Sequence, residues 1–277
     1  MKSIGKRLLA ILLFLSFTLL YSYDPEHTKL KNVKPSELEG VEFENKLGNQ
    51  IPLDINFKNE SGDDTSLGVY FKQGKPIVLS MVYFRCPTLC NYHLNGIAKV
   101  FKELDWNLGD KYEFIAISID PTENSDLALA KKNAYLDDYL ENGKFRVKSG
   151  MHFLTGTEEN IKPLAASLGF RYKYIPGNKQ YVHPSVAYIL TPEGKISRIF
   201  NGISFEERDL KLSLVEATGG KIGTMMERVA LFCFQFDPNK NKYTIYAYNL
   251  MRIGGAVTAF FVAGYLVTFW RRNKNLT

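Results

Sequence analysis

Two cysteines in the first half of the chain carry the clearest chemical signal. Cys86 and Cys90 lie in Cys-Pro-Thr-Leu-Cys, between a strongly apolar run and a helical pattern. A helix N-terminus favours the thiolate, which is both the nucleophilic and the metal-binding form of cysteine. The spacing is one residue wider than the C-x-x-C of dithiol oxidoreductases and lets both sulfurs turn toward one soft ion such as Cu(I). A copper site, a redox pair and a structural disulfide are the interpretations that remain open.

A third ligand would come from the four histidines. His183 stands in Tyr-Val-His-Pro, a loop just before a predicted strand, and we expect it to complete the site, because an imidazole beside two thiolates also suits Cu(II). The alternative is a loop histidine held by ordinary hydrogen bonds. His93 is three residues beyond Cys90 and can either reach the site as an extra ligand or equally point to solvent. His152 lies in an apolar strand pattern and is expected to pack.

Asp120 follows the second strongly apolar run, in Ser-Ile-Asp-Pro. A carboxylate at this place can orient His183 or a substrate, as groups behind a metal ligand do. It can equally cap the turn that follows, and the sequence favours neither role.

Hydrophobic periodicity supplies the elements that must hold these residues. The predicted strands are 76–84, 112–119, 151–154, 185–190 and 195–200, and the short alternating segment 51–57 is also strand-like. The predicted helices are 91–104, 125–140, 158–168 and 206–218. This order predicts an α/β fold, a thioredoxin-like sandwich with a central mixed sheet that is closed by an antiparallel hairpin. The cysteine motif then lies at the carboxyl end of a central strand.

Both chain ends are apolar and predict a membrane location. Basic residues precede the apolar run 8–20, which is typical of a signal peptide over 1–22, with an uncleaved anchor as the alternative. Residues 253–270 contain no charge and are flanked by arginines, which predicts one C-terminal transmembrane helix in contact with lipid. Its denser positive flank, 271–277, is expected to be cytoplasmic, so that the main domain lies on the extracytoplasmic, periplasmic side.

The segments between the two ends complete the predicted organisation. Residues 23–39 form an N-terminal segment, 40–218 the thioredoxin-like domain and 219–252 a juxtamembrane tail. The tail contains Cys233, with Met225 and Met226 nearby, and these soft donors allow a second copper site. The phenylalanines around Cys233 favour a buried or membrane-surface thiol instead.

Composition excludes several classes of protein. The chain has 277 residues, of which 45% are hydrophobic and 23% charged, so it is not a disordered protein. Three cysteines are too few for a disulfide-dense scaffold. The net charge of +6 comes from scattered lysines and arginines, and we therefore expect no nucleic-acid partner.

Four stretches together resemble the Sco/SenC family of copper-binding, thioredoxin-like proteins. They are VYFRCPTLCN, AISIDPTENSD, HFLTG and YVHPSVAYILTPEGKISRIFNG. The resemblance covers residues 40–218 and implies a role in delivering copper to the dinuclear copper site of cytochrome c oxidase subunit II, or in reducing the cysteines of that site. At the matching positions it implies Cys86, Cys90 and His183 as copper ligands and Asp120 as the family's aspartate. The long C-terminal extension, which resembles a bacterial branch of the family, leaves the partner oxidase open.

Two other activities are compatible with the cysteine motif. A metal-independent, exported thiol–disulfide oxidoreductase needs Cys86 and Cys90 but has no use for His183 as a ligand. A peroxiredoxin-type peroxidase is disfavoured, because Tyr83 stands where that class carries a threonine, three residues before the cysteine. We expect a copper chaperone rather than a turnover enzyme.

Overall fold

Strands and helices alternate in the order that the hydrophobic pattern predicts. The computed structural model describes residues 40–86, 89–140, 150–219, 224, 226–227, 230–231, 234–237, 240 and 242–274. In chain order the elements are β1 (Asn56–Lys58), β2 (Asp64–Ser66), β3 (Ile77–Val82), α1 (Leu89–Glu103), β4 (Glu113–Ser118), α2 (Ser125–Leu140), β5 (Met151–Leu154), α3 (Glu158–Leu168), β6 (Lys173–Ile175), β7 (Gln180–Val182), β8 (Val186–Leu190), β9 (Ile196–Asn201), α4 (Glu207–Ala217), β10 (Phe234–Asp237), β11 (Lys242–Ile245) and α5 (Ala247–Lys274). The predicted signal segment 1–22, the segment 23–39, Met225 and Cys233 lie outside the described residues.

A five-stranded mixed sheet forms the centre of the fold, in the order β5-β4-β3-β8-β9. β3 and β5 are parallel to β4, whereas β8 is antiparallel to both β3 and β9. Every residue of β3, β4 and β8 is buried, and burial on both faces explains why these strands are continuous apolar runs. The predicted α/β class and mixed sheet are confirmed.

Helix α1 carries the cysteine motif at its N-terminus and packs closely at its middle. Its buried side chains include Leu94, Ile97 and Phe101, which recur at helical spacing. Gly96 has no side chain to keep its neighbour away: a Cβ there would lie 2.0 Å from the carbonyl oxygen of Ile203. This close approach fixes α1 against the loop that follows β9.

Three small two-stranded sheets lie outside the central sheet: β1–β2, β6–β7 and β10–β11, all antiparallel. The pattern predicted a strand-like segment at 51–57, whereas β1 occupies only its end and one residue beyond. The strands β6 and β7 were not predicted. They have three residues each, none of which is buried, so they show no run of apolar residues.

The hairpin β10–β11 packs on the domain that we predicted to end at residue 218. Phe236 and Tyr243 are buried, and the Phe236 ring lies 5.2 Å from that of Phe200. The backbone N–H of Tyr243 donates to the carboxylate of Asp209 at 3.1 Å, and its hydroxyl donates to Glu216. Part of the segment 219–252 therefore adds to the core.

The predicted membrane-spanning stretch 253–270 falls within α5, a helix of 28 residues. It carries exposed apolar side chains, among them Phe260 and Phe261. Among the residues that the structure describes, however, no helix combines the length and the apolar character needed to cross a membrane. The predicted transmembrane helix is thus not supported by the structure.

Candidate metal-binding site

The cysteines stand at the junction between β3 and α1. Cys86 comes four residues after β3 ends, and its backbone N–H donates to the carbonyl of Tyr83 at 3.3 Å. Cys90 is the second residue of α1, and its N–H donates to the sulfur of Cys86 at 3.4 Å. Both thiols are buried. The junction thus places the two sulfurs side by side at a helix N-terminus, as the motif predicts.

His183 reaches this site from the loop between β7 and β8. Its Nε2 lies 2.7 Å from the sulfur of Cys90, and its Nδ1 lies 2.9 Å from the carbonyl oxygen of Pro184. A carbonyl only accepts hydrogen bonds, so Nδ1 carries the ring proton and Nε2 presents its lone pair to the thiol. Metal-binding histidines are oriented in this way, with the second nitrogen held by a carbonyl or carboxylate.

Two of the three groups, the Cys90 thiol and the His183 imidazole, are held in their neutral forms. A hydrogen bond with Cys86, together with burial, raises the pKa of the Cys90 thiol. Burial lowers the pKa of His183. The Cys90 thiol therefore keeps its proton, and its sulfur lies 2.7 Å from the unprotonated Nε2 of His183. A metal ion has to displace this proton to bind.

Aromatic rings surround the imidazole. The rings of Tyr83 and Phe170 lie 5.9 Å and 5.8 Å from that of His183, and Tyr181 lies 5.6 Å from Tyr83. Burial and a hydrogen bond with Cys86 raise the pKa of Tyr83, so its phenol stays protonated beside the sulfur. A groove of about 840 Å³, lined in part by Phe170 and Tyr181, leads along this wall. The rings keep bulk water from the thiol–imidazole contact.

His93 neither joins the site nor faces solvent, so both alternatives that the sequence left open for it are wrong. Its Nδ1 lies 2.8 Å from the carbonyl oxygen of Gly202 and its Nε2 lies 3.1 Å from the hydroxyl of Ser80. Both nitrogens are thus committed to the fold, and burial lowers the pKa of His93 to about 4. His152 packs as expected, with its ring 4.4 Å from that of Tyr70 and its Nε2 3.3 Å from Glu113.

Asp120 caps the turn that follows β4. Its Oδ1 accepts hydrogen bonds from the N–H and the hydroxyl of Thr122, at 2.9 Å and 2.7 Å. Its Oδ2 lies 3.7 Å from the guanidinium of Arg85. Since the carbonyl of Pro184 orients His183, the turn-capping role is the one that the structure displays.

Glu123 is a residue near the site that the sequence analysis missed. Its buried carboxylate accepts the backbone N–H groups of Phe84 and Arg85, at 2.8 Å and 2.7 Å, and the hydroxyl of Ser118 at 2.6 Å. Burial raises its pKa. It lies in the polar run Thr-Glu-Asn-Ser, where only its place just after a strand end hints at a role.

The donors fit a soft metal ion, although they are not yet arranged around one. Cys86, Cys90 and His183 offer two sulfurs and an imidazole nitrogen, the set that suits copper. Within the described part of the chain, no three cysteine, histidine or acidic side chains already stand in a metal-holding arrangement.

A mixed sheet with a buried thiol pair at the start of α1 defines a thioredoxin-like protein. The family model described as SCO1/SenC matches residues 53–215, and the chain belongs to this family. Over 152 residues the chain is 24% identical to the SCO1 protein homolog of Bacillus subtilis (strain 168). The aligned region covers 53% of this chain and 72% of the relative. The crystal structure of a candidate electron transfer protein from Aquifex aeolicus VF5 is 25% identical, with a TM-score of 0.55, over 63% of this chain and 96% of that one.

Proposed function

We propose that this protein binds copper as cargo and serves the assembly of cytochrome c oxidase. It delivers copper to the dinuclear site of subunit II, or reduces the cysteines of that site. Membership of the SCO1/SenC family supports this assignment. The observation that carries it is the 2.7 Å contact between Nε2 of His183 and the sulfur of Cys90, since it aims an imidazole lone pair at a buried thiol pair.

The chemistry of binding follows from the state of these groups. Cu(I) is satisfied by two thiolates, so Cys86 and Cys90 lose their protons when it enters. Cu(II) prefers nitrogen as well as sulfur donors and takes Nε2 of His183 in addition. Copper leaves when the thiols of an acceptor replace these ligands one at a time. Acid opposes binding, because protons compete for all three donors.

We also propose that the main domain works outside the cytoplasm and is held at the membrane by the apolar stretch 253–270. The support is the charge pattern of the sequence, with Arg252 before this stretch and Arg271, Arg272 and Lys274 after it. Membrane lipid is then a partner of the chain, and the acceptor is another protein on the same side.

A metal-independent thiol–disulfide oxidoreductase is the second candidate. The observation that favours it is the side-by-side placement of two buried thiols, with the N–H of Cys90 3.4 Å from the sulfur of Cys86. In that protein His183 would at most take up the thiol proton, and copper would have no part. The copper-binding function needs the His183 imidazole as a metal ligand, whereas the oxidoreductase needs it at most as an acceptor for the thiol proton.

Titration of the reduced, full-length protein with Cu(I) and with Cu(II) tests the proposal. We expect one copper ion per chain. Changing Cys86 or Cys90 to Ser should abolish tight binding of both oxidation states. His183→Ala should keep Cu(I) but lose most Cu(II) together with the thiolate-to-copper absorption band, because only Cu(II) needs the nitrogen donor.

His152→Gln is the matched control, since it removes a histidine that packs elsewhere and should leave both titrations unchanged. An unchanged Cu(II) spectrum in His183→Ala would show that His183 is not a ligand. Full thiol exchange in a wild-type protein that binds neither ion would favour the oxidoreductase.

A further inference from the structure

The segment between β3 and Cys86 is held from the end of the neighbouring strand. Val82 and Ser118 are partners at the last position where β3 and β4 pair. The N–H of Ile119 donates to the carbonyl of Val82 at 2.8 Å, just beyond that position. Past this point the sheet ends, and a side chain from the β4 side, Glu123, takes over the hydrogen bonding.

The Glu123 carboxylate binds two successive backbone amides. One oxygen accepts the N–H of Phe84 at 2.8 Å and the other accepts the N–H of Arg85 at 2.7 Å. Successive N–H groups form a concavity that suits an anion. An ionised carboxylate only accepts hydrogen bonds, so it serves both amides at once, whereas an amide side chain would turn an NH₂ group toward one of them.

Two further contacts hold the same region. The hydroxyl of Ser118 donates to Oε2 of Glu123 at 2.6 Å and so fixes the carboxylate. The guanidinium of Arg85 bonds to the hydroxyl of Thr122 at 3.0 Å and to its carbonyl at 3.4 Å. Arg85 is therefore held through its main chain and its side chain, and it is the residue immediately before Cys86.

We propose that Glu123 is a positioning residue of the thiol site. By binding the amides of Phe84 and Arg85, its carboxylate sets the place of Cys86 relative to Cys90 and His183. The copper part of this inference rests on the proposed function, whereas its thiol–disulfide part does not. The thiol–disulfide part concerns the reaction of the protein with glutathione disulfide. Glutathione disulfide takes two electrons and two protons from the two thiols, which form the Cys86–Cys90 disulfide, and two glutathione molecules are released.

The test compares Glu123→Gln with Asp209→Asn in the full chain. Asp209 is a matched control because it is also a buried carboxylate that accepts a backbone N–H, that of Tyr243, but it lies on α4. We expect Glu123→Gln to lower Cu(I) affinity about 10- to 100-fold, as loss of a group behind a metal ligand does. A disulfide requires closely defined sulfur positions, so its equilibrium constant against glutathione should fall about tenfold.

Asp209→Asn should leave both quantities within about twofold of wild type while it lowers thermal stability. Ser118→Ala, which keeps both amide contacts of Glu123, should cause a smaller change in the same direction, and it replaces Glu123→Gln if that variant does not fold. Wild-type values in the Glu123 or Ser118 variant, or equal losses in the Asp209 variant, would overturn the inference. If wild type binds no Cu(I), the proposed function fails, and the glutathione equilibrium alone decides the role of Glu123.

Discussion

Two buried histidines of this chain differ in chemistry because their hydrogen-bond partners differ. A carbonyl holds one nitrogen in each ring, that of Pro184 for His183 and that of Gly202 for His93. The second nitrogen of His183 faces the thiol of Cys90, whereas that of His93 faces the hydroxyl of Ser80. The His183 ring keeps a lone pair that is directed at a thiol, whereas both nitrogens of His93 are held within the fold.

Acid should destabilise the protein through His93. Its pKa is about 4 in the folded state and about 6.5 in an unfolded chain, so the unfolded chain binds more protons between these values. The free energy of unfolding should therefore fall as the pH drops from about 6.5 to about 4, by roughly 3 kcal/mol for this group. Urea unfolding of the reduced protein at pH 7, 6 and 5 measures the slope.

His93→Gln is the comparison for this prediction. Its amide can donate to Gly202 and accept from Ser80, but it does not titrate in this range. The variant should lose part of the acid slope, and the part that remains includes His183, whose pKa is also lowered by burial. Equal slopes in both proteins would contradict the prediction.

Residue types and spacing were sufficient to select Cys86, Cys90 and His183, which the structure brings together. Distance along the chain was a poor guide, since His93 is three residues from Cys90 and yet faces away from it. Glu123 was missed because a polar residue in a polar run carries no periodic signal. Only the packing of two strand ends shows that its carboxylate is buried.

At the level of elements, apolar runs were reliable where burial alone decides the structure. The observed strands β3, β4 and β8 lie within the predicted runs, and α2 and α3 have the predicted bounds. The hairpins β6–β7 and β10–β11 were not predicted, because their strands have only three or four residues and their pairing depends on partners supplied by the fold.

The hairpin β10–β11 should contribute measurably to stability. Tyr243 is buried against Phe236, with ring centroids 5.4 Å apart, and it bonds to Asp209 and Glu216. Tyr243→Ala should lower the free energy of unfolding by about 3 to 5 kcal/mol, the usual cost of removing a buried aromatic side chain. Urea denaturation of the full chain measures this loss.

Tyr92→Ala is the matched control for Tyr243→Ala. Tyr92 lies on α1 and is 57% exposed, so its removal should change stability by no more than about 0.5 kcal/mol. If the two variants unfold at the same urea concentration, the hairpin does not pack on the domain in solution.

For the whole molecule, the membrane location remains a prediction from the two apolar ends. From the positive flank of residues 253–270 we expect the domain to face outward. In bacterial spheroplasts that express the full chain, added protease should digest the domain, and carbonate washing should leave undigested protein in the membrane. A protected domain would contradict the orientation, and release by carbonate would contradict the anchor.

The contact between Cys90 and His183 joins positions 93 residues apart, and this has a consequence in time. A chain is made from its N-terminus, so the cysteine loop exists well before His183 has been synthesised. His183 lies in the loop that leads into β8, so its imidazole reaches the thiols only when β8 has paired with β3. Strand pairings between residues so far apart in the chain form slowly. Until then Nε2 of His183 is not beside the two thiols. An oxidant that reacts with the incompletely folded chain can therefore form the Cys86–Cys90 disulfide before His183 is in place.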